Sequence, residues 1–205
     1  QAKLTAADGV ATDLFGNSVA LSGDTALVGA YYDDVGAIGG EGSAYVFVRS
    51  GSTWTQQAQL TAADSANSDQ FGISVALSGD TALVGAWLND VVTTDQGAAY
   101  VFVRSGSTWT QQARLTVADG APFDQFGFSV ALGGSGDTAL VGAYLDDVGV
   151  NNAQGSAYVF ARSGSTWTQQ ARLNAAGGAA NDWFGFSVAL EGAGGTALVG
   201  ALTDV

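Results

Sequence analysis

Phe15-Gly16-Asn17-Ser18-Val19-Ala20-Leu21-Ser22-Gly23-Asp24-Thr25-Ala26-Leu27-Val28-Gly29-Ala30 decides how the rest of the chain is read, because near-copies return at 71–86, 126–143 and 184–201. Successive Phe-Gly pairs stand 56, 55 and 58 residues apart. Self-similarity at a fixed period marks a repeat architecture. The spacing from Tyr45, Tyr100 and Tyr158 to the next Phe is always 26 residues, so the period is strict there. The extra length of the later copies falls instead at Gly133 to Asp137 and Glu191 to Gly195, where the first two have only Ser-Gly-Asp. Insertions are tolerated at loop tips, which places those positions at turns.

Gly, Asp and Ser divide each repeat into four short β-prone runs, here strands A to D: 18–21, 25–30, 43–49 and 53–62 in the first copy. No helical period competes. Runs B (Ala-Leu-Val-Gly-Ala) and C (Ala-Tyr-Val-Phe-Val) are almost continuously apolar, as expected of strands covered on both faces. Run D alternates, with Trp54, Gln56, Ala58 and Leu60 expected on one face and Thr55, Gln57, Gln59 and Thr61 on the other. Units with a buried middle and a half-wetted last strand, repeated about every 56 residues, describe an all-β protein. They predict a β-propeller of four-stranded antiparallel blades, with strand A innermost and strand D outermost. A sandwich array and a parallel solenoid are the competing arrangements.

Phe-Gly, then Ser-Val-Ala-Leu, then Leu-Val-Gly-Ala, then Gly-Ser-Ala-Tyr-Val-Phe resembles the FG-GAP repeat of integrin alpha-subunit propellers and of many secreted bacterial surface proteins. The resemblance covers essentially the whole chain, as about 3.7 repeats. It implies one propeller segment over 1–205: an outer strand and crossing loop at 1–14, repeats at 15–70, 71–125 and 126–183, and a partial repeat at 184–205. It also implies an extracellular or cell-surface setting and an adhesion or binding role. Two departures stand out. The proline of the family's Gly-Ala-Pro is replaced by Tyr31, Trp87, Tyr144 or Leu202, and the Asp-rich calcium loop between strands A and B is reduced to bare Ser-Gly-Asp turns at 22–24 and 78–80.

Composition narrows the function from the other side. The chain has no Cys, His or Met and a single Lys, which removes thiol and imidazole chemistry and the usual transition-metal ligands. A net charge of -13 opposes nucleic acid, whose affinity rests on Lys and Arg neutralising phosphates, and opposes anionic membranes equally. The glycine-rich 192–200 stretch lacks the Lys-Ser or Lys-Thr of a phosphate loop.

The acids are distributed unevenly. Strands alternate direction within a blade, so the D–A crossings and the B–C loops emerge on the same face, which collects 15 of the 19 acids. Only Asp24, Asp80, Asp137 and Glu191 fall on the opposite rim, with Arg49, Arg104 and Arg162. On the acidic face an Asp stands two residues before every repeat Phe (Asp13, Asp69, Asp124, Asp182), and the B–C loops add Asp33, Asp34, Asp90, Asp146 and Asp147. These nine carboxylates are either caps on turn amides or oxygen ligands for a cation such as calcium. Tyr31, Trp87 and Tyr144 stand beside that rim, placed either to stack on a sugar or contact a cation, or to pack on the adjacent blade. The repeat Phe residues read as wedges between blades, and Trp54, Trp109 and Trp167 as covers for the outer edge.

Three functional classes follow. The first is a non-catalytic propeller that presents repeated acidic loops to a protein or glycan. The second is a purely structural, self-assembling unit. The third, a carboxylate-based glycosidase or lyase, needs one privileged pair of acids about 5–9.5 Å apart, whereas here the acids recur in equivalent positions. Counting one D run, three complete sets and a final A and B gives 15 strands and leaves the last blade unfinished. The expectation is that these residues belong to a longer propeller or complete their ring with a further copy of the chain.

Overall fold

The computed structural model describes residues 2–36, 39–192 and 195–203. It contains fourteen strands and no helix among those residues. The first blade is β1 (Val19–Ser22), β2 (Thr25–Ala30), β3 (Ser43–Ser50) and β4 (Thr53–Leu60). The second is β5 (Phe71–Ser78), β6 (Thr81–Ala86), β7 (Ala98–Ser105) and β8 (Thr108–Leu115). β9 (Ser129–Leu132), β10 (Thr138–Ala143), β11 (Ser156–Ser163) and β12 (Thr166–Leu173) form the third, and β13 (Phe184–Leu190) with β14 (Ala197–Ala201) begins a fourth. Each sheet is antiparallel with its strands in chain order. Successive blades meet through their first strands, β1 on β5, β5 on β9 and β9 on β13. Strand A is therefore innermost, and the blade layout is that of a propeller.

The continuously apolar strands are buried as their pattern requires. Every residue of β2 and β6 is buried, and Leu27, Leu83 and Leu140 reach zero exposure. The core runs between sheets. Leu27, Ala44 and Val46 of the first blade meet Phe71, Val84, Tyr100 and Phe102 of the second, and the next joint repeats the arrangement with Leu83, Val101, Phe126, Val141, Tyr158 and Phe160. Phe71 and Phe126 stand edge-on to the rings of the strand C they wedge against, 5.9–6.0 Å from Phe102 and Phe160. Each buried side chain of this size contributes roughly 1.5–3 kcal/mol. The glycine after each Phe has φ of +94° to +97°, and at Gly72 an added Cβ would overlap the Ser43 carbonyl of the preceding blade. Only glycine combines that backbone with that approach.

Two expectations are corrected. Run D does not keep one alternation: the register between β3 and β4 slips between Val46 and Phe47, so Gln57 is an extra, bulged residue. A one-residue bulge swaps faces. Trp54 consequently packs beneath Tyr45 and Phe47, while Ala58 and Leu60 join the opposite side with Ala44 and Val46. The slip recurs at the equivalent point of the second and third blades. The opening segment expected as an outer strand is not a strand among the described residues. Leu4 and Ala6 pack on the first blade near Tyr45 and Phe47.

Candidate functional site

The long loops gather on one face, and hydrogen bonds interleave them. The three later D–A crossings hang on the B–C loop of the blade before them: Phe71, Phe126 and Phe184 donate their N–H groups to the carbonyls of Glu41, Gln96 and Gln154 at 2.8–3.0 Å. Residues 68, 123 and 181 add further backbone bonds to Gly39, Thr94 and Asn152. The face is a continuous belt of loops carried on rigid sheets, a common placement for binding residues.

The candidate carboxylates are tied into that belt. Asp13, Asp69, Asp124 and Asp182 are buried, and each accepts the N–H three residues back, from Val10, Ala66, Ala121 and Ala179, at 2.5–2.8 Å. Asp34, Asp90 and Asp147 cap their own B–C loops through Gly40, Asp95 and Ala153 at 2.6–2.8 Å. Asp33 and Asp146 turn inward. Asp33 accepts from the Ser43 hydroxyl, from the Tyr45 hydroxyl at 2.7 Å and from Gln59 at 3.1 Å, and Asp146 accepts from Tyr158 at 2.7 Å and pairs with Arg172 at 2.7 Å. Among the described residues no three acidic side chains come close enough together to hold a metal ion. As placed, the nine carboxylates each point one oxygen at separate backbone or side-chain donors and do not gather into the multi-oxygen set that calcium takes.

Burial leaves its mark on the acidity of these groups. Desolvation pushes Asp124 up to about 6 despite the Ala121 cap, with the charges of Asp146 and Asp147 adding to the rise and Arg172 opposing it. Asp69, Asp95 and Asp146 are also raised, first by burial. Burial and the neighbouring carboxylates drive the Tyr45 and Tyr158 hydroxyls upward, fixing them as proton donors.

Glu41 marks a difference between joints. In the later two, Gln96 and Gln154 donate to the carbonyls of Val117 and Ala175 at 3.2 and 3.4 Å, and Gly120 and Gly178 lie against the amides. In the first joint Glu41 replaces the Gln and Ser65 the Gly. Glu41 is buried with its Oε2 unpartnered among the described residues. Desolvation raises its pKa above 4.5, the Ser65 hydrogen bond opposing and Asp33, Asp69 and Asp34 reinforcing.

The three candidate aromatics behave differently from one another. Trp87 stands 5.3 Å from Phe128 of the next blade and donates its indole N–H to Gln70 at 2.7 Å. Tyr144 lies 4.4 Å from Phe128 and 5.5 Å from Phe186, and Trp183 stacks on Phe186 at 6.4 Å. These half-buried rings form one file across the second, third and fourth blades. Among the described residues Tyr31 pairs only with Tyr32, at 5.2 Å. Phe128, Phe186 and Trp183 escaped the sequence reading because each stands where another copy has Asn, Ile, Gln or Leu. The opposite rim is simpler: Arg49, Arg104 and Arg162 bridge Asp24, Asp80 and Asp137 at 2.5–2.6 Å and lie over Trp54, Trp109 and Trp167.

Beside the belt, a groove of about 300 Å³ lies between the 121–124 crossing and the 145–153 loop. Phe123, Leu145, Asp147 and Asn152 line it. Of these only Asp147 was a candidate from sequence. The missed signal is that Phe123 occupies the position of Thr12, Ser68 and Asn181.

Inner strands meeting blade to blade, a Phe-Gly wedge at every joint and loops gathered on one face define a repeat propeller. The FG-GAP repeat family matches residues 1–47, 54–102, 109–160 and 167–205, and the chain belongs to it. No curated protein matches the sequence. Among solved structures, Sqt1 of Saccharomyces cerevisiae is 13% identical with a TM-score of 0.48, over 80% of this chain and 36% of that one.

Proposed function

We propose that this chain is a non-catalytic binding module that acts outside the cell or on its surface and presents its acidic loop face to a protein or glycan. The observation that carries the reading is the belt itself: D–A crossings and B–C loops, hydrogen-bonded blade to blade, hold acidic and aromatic side chains on one side of a rigid scaffold. Equivalent carboxylates have equivalent structural partners, which supports display over acid–base chemistry, where two acids must differ in role. Immobilised protein probed with a glycan array and a panel of extracellular-matrix proteins tests it. Binding that is lost when exposed B–C loop residues are replaced supports the proposal; silence on every probe at micromolar concentration rejects it. Calcium is no part of this reading, so millimolar calcium after chelation is expected to leave the melting temperature unchanged.

A second reading, a structural unit that packs against further blades, is favoured by the uncovered faces of the first and last sheets, where Val19, Leu21 and Leu198 are exposed. Light scattering at rising concentration separates the two, since association through those faces needs no loop ligand.

A further inference from the structure

The groove at the third blade breaks the symmetry of the belt, and its odd residue is costly. Phe123 has φ of +69°, a left-handed conformation that bulky side chains rarely adopt. Ser68 and Asn181 hold the same conformation at the same position, φ +66° and +65°, and Asn is well suited to it. The geometry is locked from three sides: Phe123 donates its N–H to the Thr94 carbonyl at 2.9 Å, Asp124 caps Ala121 at 2.6 Å, and Pro122 fixes the preceding φ. Core packing does not explain the aromatic ring. Phe123 is 54% exposed and forms no aromatic pair among the described residues, unlike the Phe wedges.

What surrounds the ring selects a ligand. Across the groove stand Leu145 and Asp147, and Asn152 completes the wall. Asp147 uses Oδ1 to hold the Ala153 N–H at 2.7 Å, which fixes the carboxylate and leaves it a second oxygen as acceptor. A carboxamide both donates and accepts. The lining therefore offers one apolar aromatic face beside a fixed carboxylate and a carboxamide, at the small end of the about 300–1,000 Å³ range of ligand pockets. A pyranose ring has that shape: a face of C–H groups edged by hydroxyls. A basic side chain fits less well, because the Arg172 guanidinium is already bound to Asp146, Asp119 and the Asp147 carbonyl at 2.7–3.2 Å and places a positive charge at this loop.

We propose that the groove between the 121–124 crossing and the 145–153 loop is a sugar site, with Phe123 as the stacking platform and Asp147 and Asn152 as hydroxyl partners. It rests on the binding-face reading above and narrows its ligand to a glycan. The site is single, because the other crossings carry Thr12, Ser68 and Asn181 where the platform stands.

The test uses saturation-transfer NMR with the methyl glycosides of glucose, galactose, mannose and N-acetylglucosamine, and N-acetyl-arginine amide as the cationic comparator. The variants are Phe123→Ser, Phe123→Tyr and Asp147→Asn. At least one glycoside is expected to bind the unaltered protein, about tenfold more weakly in Phe123→Ser and Asp147→Asn and with little change in Phe123→Tyr. Phe123→Ser copies the residue of the neighbouring blade, so it is also expected to melt at the same temperature or higher while binding is lost. Binding of the arginine amide alone, glycoside binding indifferent to Phe123→Ser, or no glycoside signal overturns the site. If glycan-array or matrix-protein binding persists in Phe123→Ser, the wider binding-face reading survives that failure; only loss of all binding by the unaltered protein removes both.

Discussion

The second blade and the two terminal sheets carry nearly the same sequence and lead different lives. Leu83 and Leu140, covered by the next blade, have zero exposure, whereas Leu198 in the same position of the last sheet is 74% exposed. Val75 on the inner strand of the second blade is 8% exposed, and its counterpart Val19 on the first is 69%. The hydrogen bonds follow suit. Trp109 and Trp167 reach back to the bulged Gln57 and Gln112 of the preceding blade at 3.0 Å, and the Ser74 and Ser129 hydroxyls donate forward to the carbonyls of Gly127 and Gly185 at 2.7–2.8 Å. The stabilising unit is thus the joint between blades, since a sheet with one face uncovered lacks half of its core.

Substitutions made in pairs, one at a joint and one at its uncovered equivalent, test that statement. The largest contrast is expected between Gly85→Ala and Gly200→Ala. A Cβ at Gly85 would overlap the Gly127 carbonyl of the next blade, whereas at Gly200 it meets only the rotatable Ser187 hydroxyl. Chemical denaturation should show a loss of about 4 kcal/mol or more for the first and under about 1 for the second. Equal losses would mean that the joint is not what glycine protects. Next, Leu83→Ala should cost about 3 kcal/mol, and Leu198→Ala no more than about 0.5.

A smaller effect depends on pH. Asp124, buried where the second and third blades meet, has its folded pKa raised from 3.8 to about 6, so the fold binds its proton more tightly than the unfolded chain does. Its contribution to stability is complete below about pH 4 and is lost as pH rises through about 6, a change of up to about 3 kcal/mol. Asp124→Asn keeps an oxygen for the Ala121 cap. The melting-temperature difference between variant and parent should therefore grow in the variant's favour from pH 4.5 to 7.5, and a constant difference would refute the assignment. The smallest contrast is between Gln57→Ala, which strips the Trp109 indole of its acceptor for about 1 kcal/mol, and Gln170→Ala, whose amide donates only to the Thr168 carbonyl of its own strand at 3.2 Å. A cost for Gln170 as large as for Gln57 would erase the distinction between closed and open ends.

Much of this was legible beforehand. A period of about 56 residues, apolar runs at 26–30 and 44–48, and Phe-Gly at each crossing determined the four-stranded blade and its strand order, because those depend on local pattern repeated along the chain. What the tertiary structure alone decided are relations between copies. The bulge at Gln57 moved Trp54 and Leu60 to opposite faces, a one-residue slip that alternation cannot signal. The nine carboxylates carried no mark of whether they would converge; in the fold four of them accept backbone N–H groups from three residues back, and among the described residues no three acidic side chains gather. The same holds for Phe123, whose substitution for Ser or Asn was visible in sequence but whose left-handed backbone and open groove exist only where two loops from different parts of the chain meet.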